Sequence, residues 1–131
     1  MATSTIILDS SILIDFFRKR NKTKSILFQL TDEYLFCLSV MTAFEIQIGI
    51  KSERQQYEYQ TLMENVQTLP IDQLCIDKAV EIYRFLKSQN AQIGLADLLI
   101  GATAVRYDLP LATLNRRHFE RIPNLSLIDI T

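Results

Sequence analysis

Short apolar runs alternate with stretches of helical periodicity along this 131-residue chain, and that alternation leaves few architectures open to it. The runs at 5–8, 34–38, 68–71, 111–114 and 126–130 are the length of strands, and Pro110 opens the fourth. Helices are expected between them at 11–18, 23–30, 40–50, 52–66, 74–89 and 95–107. Ser39 is placed to cap the third of these, and Ala79, Ile82, Tyr83 and Leu86 repeat at helical spacing in the fifth. Strand alternating with helix implies an α/β fold with a mainly parallel sheet covered on both faces. The chain shows no internal repeat, linker or low-complexity tract, so residues 1–131 are expected to form one domain. A domain of this size buries roughly 65–70% of its surface on folding and needs no staples.

In such a fold ligands bind beyond the carboxyl ends of the strands. Asp9 closes the run Ile6-Ile7-Leu8, Glu45 stands between Phe44 and Ile46 just past the second strand, and Asn115 follows the run ending at Leu114. Asp97 is enclosed by Leu95, Ala96, Leu98, Leu99 and Ile100 in the first turn of its helix. A carboxylate in apolar company must find a partner or lose its charge. If Asp9, Glu45 and Asp97 converge, their repulsion calls for a cation, and an all-oxygen cluster suits Mg²⁺ or Mn²⁺ rather than zinc.

Each acid also has a purely structural reading. Asp9 is positioned to cap the first helix, Asp97 to complement the positive end of its helix, and Thr42-Ala43-Phe44-Glu45 has the spacing of a capping box. The shared placement at one edge favours a site over three separate structural roles.

Composition excludes several classes. Hydrophobic residues are 48% and charged residues 22%, which is ordinary for a globular protein, and the formal net charge is -1 with a pI of about 5.8. Any affinity for nucleic acid must therefore come from a local basic patch. The segment 1–9 lacks a signal-peptide pattern and no apolar stretch is long enough to span a membrane, so the cytoplasm is the expected location. Cys37 and Cys75 lie in apolar runs without a CxxC pattern and read as buried reduced thiols.

Four segments carry a resemblance: Ile6-Ile7-Leu8-Asp9-Ser10-Ser11; Ser39-Val40-Met41-Thr42-Ala43-Phe44-Glu45; Leu95-Ala96-Asp97 through Gly101-Ala102-Thr103-Ala104; and Leu111-Ala112-Thr113-Leu114-Asn115-Arg116-Arg117-His118-Phe119. In order and spacing they resemble the successive motifs of PIN-domain proteins across nearly the whole chain. The compact form is similar to the VapC-type toxins of bacterial and archaeal toxin–antitoxin pairs. The resemblance implies a three-layer α/β/α sandwich and a metal-dependent endoribonuclease, with Asp9, Glu45 and Asp97 as the metal-holding acids. It further implies an RNA substrate, a cognate VapB-type antitoxin and a homodimer.

The chain departs from the family at Asn115, where many members carry a fourth acid; an asparagine brings a carbonyl ligand but no charge, which weakens a second metal site. By the same resemblance Ser10 and Thr113 are candidates to hydrogen-bond a carboxylate or bound water, with ordinary strand-end hydroxyls as the alternative. Asp15 matches a family aspartate but reads as a structural ion-pair partner, and His118 as an orienting or packing residue. Two basic clusters are candidate RNA contacts: Arg18, Lys19, Arg20, Lys22 and Lys24, and, just after Asn115, Arg116, Arg117 and Arg121. A solvated face is the alternative for both.

The rival function is a catalytically weak PIN-like module that binds RNA or protein. A doubly wound signalling domain with a phosphorylated aspartate fits less well, because Asp9 lacks an adjacent acid and no lysine follows a late strand.

Overall fold

The computed structural model describes residues 4–130, so the first three residues of the amino-terminal segment lie outside it. Four strands, β1 (Ser4–Leu8), β2 (Tyr34–Ser39), β3 (Gln67–Leu69) and β4 (Leu111–Ala112), form one sheet in the order β3-β2-β1-β4. Every pairing is parallel, with Ile7 opposite both Cys37 and Leu111. The helices are α1 (Ser10–Arg18), α2 (Ile26–Leu30), α3 (Val40–Ile48), α4 (Glu53–Met63), α5 (Gln73–Ser88), α6 (Leu95–Tyr107) and α7 (Arg116–Phe119).

Successive strand residues point to opposite faces, and the core divides accordingly. Ile7, Cys37, Leu69 and Leu111 pack with Ala79, Ile82 and Leu86 of α5 and with α6. Ile6, Leu8, Leu38 and Ala112 pack with Ile12 and Leu13 of α1, Leu27 and Leu30 of α2, and Tyr59 of α4. The result is the three-layer α/β/α sandwich, with residues 6–8 of β1, β4 and the end of β2 buried on both sides while Gln67 and Thr68 of the edge strand β3 are exposed.

The strand order determines where a site can form. From β1 the chain builds β2 and then β3 on one side, and only afterwards returns to place β4 on the other side of β1. The connections diverge between β1 and β4, opening a crevice at their carboxyl ends.

Several expected boundaries shift. The helix expected at 23–30 breaks at Ser25, whose hydroxyl accepts from Phe28 N and starts α2 after a separate 3-10 turn at Lys22–Lys24. The strand expected at 126–130 reduces to one parallel bridge, Leu111 to Leu127. Its partner β4 ends at Ala112, because the Leu114 amide turns to the Ser11 hydroxyl at 3.0 Å. Gly101 faces Ile122 so closely that a Cβ could not be added without moving it, and α6 thereby packs against the segment after α7. The small residue at 101 thus admits Ile122 and Phe119, which flank the end of α7.

Asp15 is a structural ion-pair partner: its carboxylate accepts from Ile26 N at 2.9 Å and pairs with Lys19 at 3.4 Å. Lys22 donates to Phe16 O at the end of α1, pairs with Glu58 of α4 at 3.0 Å and lies over the Phe16 ring. Asp72 caps α5 and pairs with Arg106 of α6 at 2.9 Å; the Arg106 guanidinium holds that carboxyl well below the usual carboxylate range. Both cysteines are free and buried.

Candidate active site at the carboxyl edge of the sheet

Asp9 is the first residue beyond β1, and its amide is held by Ala112 O at 2.9 Å, which locks it to the end of β4. It occupies the N-cap position of α1, yet its side chain makes no capping bond. The carboxylate instead accepts from Thr113 Oγ1 at 2.7 Å and from Ser11 Oγ at 2.8 Å. The capping role is therefore not what fixes this residue. Asp9 is only 4% exposed, and among the described residues no lysine, arginine or histidine lies within salt-bridge distance of it or of Glu45.

Glu45 arrives from α3, which begins immediately after β2 because Ser39 accepts from Met41 N. That cap displaces the capping box expected over 42–45: Thr42 lies inside the helix, fully buried, with an unpartnered hydroxyl. Glu45 is held from α1 by Ser10, whose hydroxyl donates to Oε1 at 2.5 Å.

Asp97 lies in the first turn of α6, where the helix dipole favours its charge. Its Oδ2 is 2.8 Å from His118 Nδ1, and the same ring nitrogen is 2.9 Å from Asn115 Nδ2. Asn115 N donates to Thr113 Oγ1 at 2.9 Å. One continuous chain of polar contacts thus runs from Asp97 through His118, Asn115 and Thr113 to Asp9, and the peptide step to Ser10 carries it to Glu45.

The structure connects Asp9, Ser10, Glu45, Asp97, Thr113 and Asn115, but through hydroxyls, an amide and an imidazole. Among the described residues, no group of three acidic, histidine or cysteine side chains is disposed to hold a metal ion. The donor chemistry nevertheless fits a hard cation: the acids supply only oxygens, and Asp9 is a buried carboxylate with no cationic partner among the described residues. Asp9, Glu45 and Asp97 are the side chains that would hold it, with Asn115 adding a carbonyl.

The second basic cluster is partly committed elsewhere. Arg116 donates to Ile128 O at 3.0 Å, and Arg121 to the carbonyls of Ala91 and Gln92 at 3.4 and 3.3 Å. Arg117 is exposed. Ser11 was not a candidate from sequence; its position two residues after Asp9 is the one signal that could have found it.

Beside Glu45 a groove of about 440 Å³ runs between α1, α3 and the start of α4. Burial pushes the Cys37 thiol on β2 up to about 11, which keeps it neutral and inert. No helix among the described residues is long and apolar enough to cross a membrane.

The chain is similar to known proteins over nearly its whole length. Residues 6–125 match the family model described as the PIN domain. Ribonuclease VapC1 of Methanocaldococcus jannaschii is 36% identical over 95% of this chain and 85% of its own. Ribonuclease VapC of Rickettsia bellii is 33% identical over 95% and 96%. The crystal structure of DNA-bound VapBC from Salmonella typhimurium superposes with a TM-score of 0.83 at 25% identity, covering 97% of this chain and 98% of that one.

Proposed function

We propose that this chain, which belongs to the PIN-domain family, is an endoribonuclease toxin of the VapC type that a VapB-type antitoxin neutralises. The observation that carries the reading is Asp9: a buried carboxylate at the switch-point crevice, fixed by two hydroxyl donors and left without a cationic partner among the described residues. The two relatives named ribonuclease VapC support the activity, and the VapBC complex supports the antitoxin.

A bound Mg²⁺ or Mn²⁺ would lower the pKa of a water and polarise the scissile phosphate. The chain's own residues prepare that chemistry. Thr113 just past β4 and Ser11 of α1 fix the rotamer of Asp9, Ser10 holds Glu45 beside it, and His118 steadies Asp97. Asn115 contributes no charge, which favours one firmly held ion over two. Water attacking in line with a departing 3′ oxygen leaves 5′-phosphate and 3′-hydroxyl ends, so no protein nucleophile is required. Arg117 is the freest of the second basic cluster to meet a phosphate, with Arg116 and Arg121 supporting the turn that carries it.

A homodimer suits the outer face of α3. Val40, Phe44 and Ile48 recur every four residues there, and Phe44 and Ile48 are 56% and 66% exposed. A second copy would cover this stripe.

A binding module that does not cut is the second reading, favoured by the absence of a three-acid metal cluster among the described residues. Incubating purified chain with total RNA and Mg²⁺ or Mn²⁺ separates the two. Cleavage with 5′-phosphate ends is expected, and EDTA or Asp9→Asn should abolish it. Intact RNA with either ion, or undiminished cutting by the Asp9→Asn protein, would overturn the nuclease reading.

A further inference from the structure

The groove beside Glu45 has two chemically distinct parts. Phe17 and Ile14 of α1 with Ile46 and Ile50 from the α3 side line its apolar part, while Arg18 and Lys51 supply two cations. Lys19 and Lys22 of the same basic run are committed to Asp15 and Glu58. Neither Arg18 nor Lys51 has a side-chain hydrogen bond or ion pair among the described residues, and both are exposed. On a chain of net charge -1, two uncommitted cations beside an acidic centre form a local electrostatic feature that overall charge does not supply.

Gln55 adds a directional group. Its Oε1 accepts from Lys51 N at 2.8 Å, which settles the orientation of the amide and leaves Nε2 as a donor to whatever enters the groove. A volume of about 440 Å³ lies within the range of small-ligand sites.

We propose that this groove is a nucleotide subsite for single-stranded RNA, taking the nucleotide next to the scissile phosphate. Its phosphate is gripped by Arg18 and Lys51, its base lies on the apolar floor with Phe17, and Gln55 Nε2 reads an acceptor on the base edge. Unstacked bases on aromatic side chains and phosphates on arginine and lysine are the usual means of recognising single strands. Glu45 lines the same groove and is tied to Ser10, so a nucleotide held there leads directly into the acidic centre. The inference rests on the ribonuclease reading and deepens it by naming a specificity-determining element.

The test measures binding apart from cutting. Fluorescence anisotropy of labelled short oligouridylate and oligoadenylate is titrated with the full chain in EDTA over a range of salt. Arg18→Ala and Lys51→Ala should each weaken binding several-fold and flatten log affinity against log salt, and the double variant should flatten it by about 0.7 for the one phosphate no longer gripped. Both side chains are exposed, and an unchanged circular dichroism spectrum will verify the fold. In the presence of Mn²⁺, Gln55→Ala should still cut total RNA but show a relaxed base preference beside the sequenced cleavage ends.

If the wild type binds RNA while both alanine variants keep its affinity and salt slope, the subsite is wrong even where cleavage proceeds. If the variants lose only their complex with a co-expressed VapB-type antitoxin, the groove is a protein-docking surface and the proposal falls. Salt-sensitive RNA binding that depends on Arg18 and Lys51 without any cutting would uphold the subsite and overturn the nuclease reading instead.

Discussion

Asp97 Oδ2 and His118 Nδ1 meet at 2.8 Å, joining the first turn of α6 to the short α7. The same Nδ1 has Asn115 Nδ2 at 2.9 Å. One ring nitrogen cannot donate to a carboxylate and accept from an amide at once. A bond to an ionised acceptor is the stronger of the two, so the proton belongs on Nδ1, directed at Asp97. The bond from Asn115 Nδ2 belongs to the other tautomer, so the two contacts at Nδ1 are alternatives. His118 therefore orients Asp97 and competes with any cation for its oxygen.

Replacing the ring tests that competition. His118→Ala should lower stability without metal by about 0.5–1 kcal/mol, the range for a hydrogen bond to a charged group discounted for the partial exposure of both partners. Saturating Mn²⁺ should then stabilise the variant more than the wild type, because Asp97 is released. Thermal unfolding of both proteins with and without Mn²⁺ checks this, and a smaller metal-induced rise in the variant would instead make His118 a helper of binding.

How much of this was legible in the sequence follows from the range of each interaction. Asp9 announces itself because three buried apolar residues precede it, and Asp97 because apolar residues flank it on both sides. The sandwich follows from the same runs, since Ile6 and Leu8 must face away from Ile7. Only the family resemblance points to Ser10 and Thr113 as hydroxyl partners of the acids, and Ser11 stays hidden even from that: Ser11 and Thr113 meet Asp9 from positions 102 residues apart. The carbonyls that occupy Arg116 and Arg121 carry no side-chain signature at all. The expected last strand failed for a related reason, since Ser126 to Ile130 has the composition to pair but β4 offers only two residues.

The buried thiol of Cys37 gives the fold an alkaline limit. It is 1% exposed, donates to Ile6 O at 3.4 Å, and is pushed up to about 11 from an ordinary value of 9.0. In the unfolded chain the thiol ionises first, so the stability it contributes is complete below pH 9 and is lost as pH rises toward about 11. Urea midpoints measured across that window should fall for the wild type and fall less for Cys37→Ala. A thiol-reactive dye at neutral pH should label Cys37 only after unfolding.

The apolar stripe on α3 predicts an oligomeric state. Phe44→Arg places a charge at the centre of the Val40–Phe44–Ile48 face without touching the core, so the protomer should stay folded. Sedimentation velocity should show a dimer for the wild type and a monomer for the variant. A monomer in both cases would leave the stripe uncovered and remove the homodimer from the proposed assembly.

Asn115 offers the sharpest test of metal binding, because one substitution moves two quantities in opposite directions. Asn115 is adjacent to Thr113, which holds Asp9, and to His118, which holds Asp97. Asn115→Asp adds a carboxylate between the two acids. Without metal, like charges in one crevice repel and each raises the pKa of the others, so apo stability should fall. With metal, a charged ligand replaces a neutral carbonyl and binding should tighten. The rise in melting temperature on adding Mn²⁺ should therefore exceed that of the wild type, and calorimetric titration should show a lower Kd. Binding only to the folded state stabilises by RT ln(1 + [L]/Kd), so a tenfold lower Kd adds about 1.4 kcal/mol at saturating ion. An equal metal-induced rise in both proteins would place residue 115 out of reach of the ion and leave Asp9, Glu45 and Asp97 to bind it without a fourth side chain.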